Sequence, residues 1–210
     1  MNRIGVDESG KGDYFGYLVV VACYVDDATE MKLRHLKVRD SKSLSDLQIR
    51  DIASKLRKLC RYEIVKFSPE KYNIRYPGFK SLNNMLAWAH AKSIEKLHEK
   101  VECDNVIVDK FADEKVLKKY LSIAKLPKSL KVEQRINAEQ DLAVAAASII
   151  ARHEFLLTLR SLGRQLGLVL PKGSTHVQEA AKQIVEKYGE DMLTNVAKLH
   201  FKITKKVVNK

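Results

Sequence analysis

Residues 17–25, YLVVVACYV, form an unbroken apolar run rich in β-branched side chains. The run has no helical spacing and falls well short of the ~18 apolar residues that a membrane span needs. Residues 18–25 therefore read as a buried strand, long enough to favour a central place in a sheet. The chain reaches this strand through MNRIGVDESGKGDYFG. There Ile4-Gly5-Val6 opens an earlier strand, and the glycines that follow supply a turn that would set the two strands antiparallel. Two adjacent carboxylates, Asp7 and Glu8, stand between strand and turn. Neighbouring side chains on a strand point to opposite faces, so the pair is expected to share one site only through a bend or bulge. Ser9-Gly10-Lys11-Gly12 then sets a mobile positive charge among residues whose backbone can approach a ligand closely. Metal-binding acid thus lies beside phosphate-binding base.

Residues 26–37 are polar and read as a loop running into a short helix. Ser45 is an N-cap for a helical pattern at Leu47, Ile49, Ile52, Leu56 and Leu59. Residues 62–67 alternate as a third strand, ended by Ser68-Pro69. Residues 71–80 carry Tyr72, Tyr76 and Phe79 among basic residues and Pro77-Gly78, which reads as an ordered loop. Such aromatics can stack on bases, and more often fold onto the core. The clearest helix covers residues 81–100, with Leu82, Leu86, Ala89, Ser93 and Leu97 on one stripe. It is long enough to return the chain for a parallel strand over 105–108.

Asp109 stands at the C-terminal end of that strand, the edge where sites gather in open α/β sheets. Capping the helical turn beyond is the plain role for it and for Asp113. A helix over 115–120 and a fifth strand over 130–136 follow. Asn137-Ala138-Glu139-Gln140 reads as a capping box heading DLAVAAASIIARHEFLLTL, a helix whose apolar front half should pack deep on the sheet. Glu139 then falls in the first turn, where the helix dipole favours a carboxylate. Helices are expected over 177–188 and from 191 to about 199, with a frayed basic tail over 204–210. Lys172, Gly173, Ser174 and Thr175 precede the first of these and could bind a phosphate.

With 38 Lys and Arg against 26 Asp and Glu, the net charge of +12 suits a polyanionic partner. Cys23, Cys60 and Cys103 are far apart, which argues against a zinc knuckle or disulfide framework and fits a reducing cytoplasm. The strand and candidate site begin within seven residues, so no signal peptide is expected. No nucleophile elbow, HExxH or P-loop points to other chemistry. The length suits one domain, 1–210, with about 165–210 a helical segment packed on it.

DESGKGDYFG, the Asp40-Ser41-Lys42 loop, NAEQDLAVAAASIIAR over 137–152, LPKGST and KLHFK over 198–202 occur in the order found in type 2 ribonucleases H. The chain resembles ribonuclease HIII most closely, because Ser9, Lys11 and Asp13 depart from the Asp-Glu-Ala-Gly-Arg-Gly run of ribonuclease HII. The resemblance implies an α/β, RNase H-like fold: a five-stranded mixed sheet flanked by helices, strands one and four adjacent, with a C-terminal helical extension. Asp7, Glu8, Asp109 and Glu139 are then the expected catalytic and metal-binding acids, with Asp113 as the alternative fourth and Asp141 a distant third. Converging carboxylates repel unless cations neutralise them, and hard oxygen donors select Mg²⁺ or Mn²⁺. Two such ions roughly 3.5–4 Å apart serve phosphodiester hydrolysis without a nucleophilic side chain.

The resemblance further implies an endonuclease that cuts the RNA strand of an RNA/DNA hybrid, leaving 3′-hydroxyl and 5′-phosphate ends. Ser9, Gly10, Lys11 and Gly12 would lie against the backbone at the cut, where the 2′-hydroxyl separates RNA from DNA. Lys42, Lys172, Ser174 and Lys198 are expected as further substrate contacts. A monomer with no membrane or protein partner is expected. Tyr17 departs from the family, which usually has Pro there. The family also usually carries an N-terminal TATA-binding-protein-like domain, whereas this chain starts at the catalytic strand; a naturally minimal or a shortened form would bind substrate more weakly. Three alternatives stand beside this reading: cutting at single ribonucleotides in DNA, as ribonuclease HII does; a binding module of the same fold without catalysis; and a nuclease of the same fold acting on all-DNA duplexes.

Overall fold

β1 (Arg3–Ser9) runs through the middle of a five-stranded sheet of order β3-β2-β1-β4-β5. β2 (Leu18–Val25) and β3 (Arg61–Phe67) extend it antiparallel on one side. β4 (Asn105–Asp109) and β5 (Lys131–Arg135) lie parallel to it on the other. The computed structural model describes residues 2–36, 38 and 41–208, except the side chain of Lys42. Arg39, Asp40 and the Lys42 side chain of the expected substrate loop thus lie outside the described residues.

The helices are α1 (Asp27–His35), α2 (Asp46–Leu59), α3 (Pro69–Phe79), α4 (Leu82–His98), α5 (Glu114–Leu121), α6 (Leu142–Leu166), α7 (Gln178–Tyr188), α8 (Met192–Val196) and α9 (Ile203–Val208). The strict alternation of β1 and β2 divides the core. Ile4, Val6 and Val20 pack on Met85, Leu86 and Ala89 of α4, while Val19, Val21 and Cys23 pack on α6 and α2 from the other face. α6 comes closest. A Cβ built on Gly5 would lie 2.1 Å from the Ala143 carbonyl carbon, so the strand and the Ala-rich first turns of the helix touch backbone to backbone. By length and composition α6 could also cross a membrane, but two thirds of its most apolar window is buried against this core.

Several local expectations change. Residues 71–80 are mostly helix: Ser68 accepts from the Lys71 N–H at 3.3 Å and Pro69 opens α3. Pro77 and Gly78 occupy its last turn, which closes at left-handed Lys80, φ 61°. The chain enters α1 at once after β2, because Asp26 caps it. The expected capping box over 137–140 is absent. Asn137 is left-handed, φ 55°, and residues Ala138–Gln140 form a separate 3₁₀ turn. Asp141 caps α6 instead, accepting from Ala143 N–H at 2.8 Å while its other oxygen meets the Arg3 guanidinium at 2.6 Å. That ion pair ties the helix start to the first residue of β1. α6 therefore begins at the opposite edge of the sheet from the end of β1 and runs toward it.

The helix expected to reach about residue 199 stops as α8 at Val196. Ala197 turns extended and bridges Phe15, and the Lys198 N–H donates to the Tyr14 carbonyl at 2.8 Å. The expected frayed tail is helical over Ile203–Val208, with Val207 buried in the main core. Gly5→Ala tests the close approach of β1 and α6. The added methyl meets helix backbone, which cannot swing aside, so the expected loss is about 3 kcal/mol or more in urea unfolding. A variant within 1 kcal/mol of wild type, a margin typical of tolerated swaps at about that size, would show that the contact yields.

Candidate active site

Pairing between β1 and β4 ends at Val6↔Val108. Asp7 and Asp109 are the next residue on each strand, where the two begin to part. No bend or bulge brings Asp7 and Glu8 together: β1 stays in register with β2 through Ser9↔Val19. The carboxylates leave by opposite faces, Asp7 toward Ser148 on α6 and Glu8 toward His90 on α4, and both line one cleft because the strand ends there. The cleft, about 300 Å³, is also lined by Lys11, Asp109, Ser148 and Arg152.

The two neighbours carry opposite electrostatics. Burial pushes the Asp7 carboxyl up to about 8, and the charges of Glu8 and Asp109 push the same way. The Ser148 hydroxyl and the Glu8 N–H, 2.7 Å from Asp7 Oδ1, offset this only in part. Burial works on Glu8 too, but His90 and Lys11 overcome it and lower Glu8 to about 2. Lys11 Nζ lies 2.5 Å from Glu8 Oε1, and His90 Nε2 lies 3.1 Å from Oε2. Asp109 Oδ1 accepts from the Ala138 N–H at 3.1 Å.

The turn after β1 is built for close approach. Gly10 has φ +89°, and a Cβ there would lie 2.0 Å from the Tyr17 carbonyl oxygen. Ser9, Gly10, Lys11 and Gly12 all line the cleft. The far wall is Ser41, whose hydroxyl is 2.7 Å from that of Ser148 and whose carbonyl accepts from Arg152 at 2.8 Å.

Other expected site residues take different places. The 3₁₀ turn that bears Glu139 begins at the site, where the Ala138 N–H reaches Asp109, while Gln140 and Asp141 go on to line a cavity with Arg3 and Asn105 at the opposite edge of the sheet; Glu139 itself is half-buried and outside the cleft lining. Asp141 is held there by Arg3. Asp113 caps α5, accepting from the Lys115 N–H at 2.8 Å, on the exposed segment that leaves the end of β4. Lys198 points inward: its buried ammonium donates to the Gly16 carbonyl at 2.8 Å, and burial pushes it down to about 7 against the charge of Asp13. It shapes the turn rather than meeting a substrate.

Residues 172–175 do not form a helix-terminal phosphate site. α7 starts only at Gln178, and the Gly173 N–H is taken by Asp13 Oδ1 at 2.6 Å. Lys172 joins the rim through Asp46, 3.1 Å away, which also meets Arg152 at 3.5 Å; Ser174 is exposed and outside the cleft lining. His90 and Ser148 join the site without having been expected there, although His90 interrupts the stripe of Leu86 and Ile94 at four-residue steps and Ser148 is the one polar break in an apolar run.

Among the described residues no three His, Cys, Asp or Glu side chains close into a protein-only metal cage. The donor set nevertheless fits a hard divalent cation. Asp7 is desolvated and repelled by two neighbouring carboxylates, and oxygen donors in an open cleft leave positions for water and phosphate.

A mixed sheet of this order with acids where its central strands part is the arrangement of an RNase H-like nuclease. Residues 4–204 match the family model Ribonuclease HII, and the chain belongs to that family. Within it the similarity runs to ribonuclease HIII. The chain is 48% identical to Ribonuclease HIII of Protochlamydia amoebophila over 99% of its length and 69% of the relative's. For Ribonuclease HIII of Chlamydia felis the identity is 44%, over 95% of this chain and 67% of the relative. The crystal structure of Bst-RNase HIII in complex with Mn²⁺ superposes with a TM-score of 0.93 at 38% identity, covering 99% of this chain and 69% of that one.

The Asp7 environment carries a signed prediction. The native carboxyl is raised from 3.8 to about 8, so the folded protein holds a proton that the unfolded chain releases. The associated stability is present below pH ~4 and is lost as pH rises toward 8. Asp7→Asn should abolish catalysis yet stabilise the metal-free protein at pH 8 by on the order of 2 kcal/mol or more in urea unfolding, because the amide removes a buried carboxylate that must otherwise ionise or hold a proton. The gain should shrink as pH is lowered to 5. Equal pH profiles for the two proteins would refute it.

Proposed function

We propose that this chain is an endoribonuclease that hydrolyses the RNA strand of RNA/DNA hybrids, with Asp7, Glu8 and Asp109 as metal ligands and Glu139 as the fourth acid. The carrying observation is the meeting of Asp7, Glu8 and Asp109 at the parting of β1 and β4, beside a glycine turn bearing Lys11. Glu139 is favoured over Asp113 because the Ala138 N–H just before it donates to Asp109 Oδ1, whereas Asp113 is exposed and caps α5 through the Lys115 N–H. Mg²⁺ or Mn²⁺ held there would activate the attacking water and stabilise the leaving 3′-oxygen.

The chain's own groups supply the rest. Lys11 now faces Glu8 with an ammonium about half exposed, free to turn to a phosphate oxygen once other positive charge neutralises the carboxylate. Gly10 and Gly12 let the sugar-phosphate backbone come within hydrogen-bond range of main-chain groups, where a 2′-hydroxyl can be sensed. The net charge of +12 supports a polyanionic substrate. Buried, free Cys23, Cys60 and Cys103 support a reducing, cytoplasmic setting.

The test is cleavage of labelled RNA·DNA, DNA·DNA and DNA carrying one ribonucleotide, with Mg²⁺, Mn²⁺ or EDTA. Wild type should cut the hybrid only with metal. Asp109→Asn should lose roughly 10³-fold or more, about 4 kcal/mol of transition-state stabilisation. Glu139→Gln should lose at least about tenfold, or about 1.4 kcal/mol, with Asp113→Asn close to wild type. Cutting beside the lone ribonucleotide as well would move the specificity toward that of ribonuclease HII. Hybrid binding without cutting under any ion would leave only a binding module.

A further inference from the structure

His90 is the one polar group that reaches the acids from the α4 side of the sheet among the described cleft contacts. Its side chain is fully buried, as is nearly all of Glu8. A carboxylate such as Glu8 can only accept, so His90 Nε2 carries the hydrogen between them. Nδ1 is buried with no hydrogen-bond partner. An unpartnered buried nitrogen is costly, and a Leu or Met at this step of the stripe would fill the space without it. What the imidazole provides is therefore the Nε2 donor. The ring is also clamped: Phe111, two residues beyond Asp109, packs on it with centroids 4.4 Å apart and planes inclined by 31°.

We propose that His90 is a positioning residue for the metal centre, orienting the Glu8 carboxylate for a divalent cation and spacing the ends of β1 and β4 through Phe111. The inference rests on the reading of Asp7, Glu8 and Asp109 as ligands. Glu8 has two restraints of unequal kind. Lys11 sits on a turn, about half exposed, and can leave for a phosphate; His90 sits on a helix packed against the sheet and cannot. When Lys11 turns away, His90 alone keeps the carboxylate from swinging through its rotamers. It does so as a donor that adds orientation without occupying a ligand position, as outer-shell partners of metal ligands do. Because Phe111 follows Asp109, displacement of the ring is also felt by the second strand.

The experiment titrates Mn²⁺ alone into wild type, His90→Phe, His90→Gln and Asp109→Asn. Calorimetry and the electron paramagnetic resonance of free Mn²⁺ measure affinity, and hybrid cleavage gives kcat and KM. His90→Phe should weaken Mn²⁺ binding by roughly 10–100-fold and lower kcat in parallel, with KM for the hybrid little changed. His90→Gln keeps a donor of similar reach and should recover most of the affinity. If His90→Phe does not fold, His90→Met asks the same question. Wild-type Mn²⁺ affinity in the donor-less variant overturns the proposal. So does a His90→Gln as weak as His90→Phe, since only the shape of the ring would then matter. Equal Mn²⁺ binding by Asp109→Asn and wild type would instead overturn the ligand assignment beneath it, which makes the two failures distinct.

Discussion

A carboxylate stripped of water must be matched by charge, by hydrogen bonds or by a proton, and two adjacent ones on a central strand cannot all be matched the same way. Asp7 and Glu8 divide the problem by face. Glu8 is compensated by His90 and Lys11 and stays ionised; Asp7 is left with a hydroxyl, one N–H and two repelling neighbours. Asp7 must therefore either hold a proton or accept a cation from outside the chain. Most of the architecture serves to hold this unresolved site rigid: α6 pressed on β1 at Gly5, α4 behind Glu8, and the Ser41 turn fastened to Ser148 and Arg152.

Rigidity of that kind is achieved where backbone meets backbone. Ala143 and the Gly5 position let helix and strand approach until no side chain separates them, which fixes how far Ser148 stands from Asp7. The lysine of the turn remains the adaptable element in an otherwise fixed wall. Function then lies in the difference between parts that cannot move and one that can.

The sheet was legible because strands buried on both faces leave unbroken β-branched runs, and the carboxylates because acids ending such runs are conspicuous. The errors have physical causes. Asn137-Ala138-Glu139-Gln140 has the spacing of a capping box, but the chain must first cross from one sheet edge to the other, and Arg3 selects Asp141 as the cap. Pro77-Gly78 looked like a loop because local rules do not distinguish a helix's last turn from its interruption. The supposed bulge at Asp7 was unnecessary, since a strand that ends in a cleft shows both of its faces. His90 and Ser148 were hidden because their partners are fixed only by tertiary packing.

The turn that carries Lys11 is not held by its neighbours in sequence alone. Its Phe15 and Gly16 carbonyls are gathered by the ammonium of Lys198, and Ala197 bridges Phe15, so the first strand's loop is closed by the last part of the chain. The turn's shape is thus set from 182 positions along the chain, and a change at Lys198 would be felt beside Lys11.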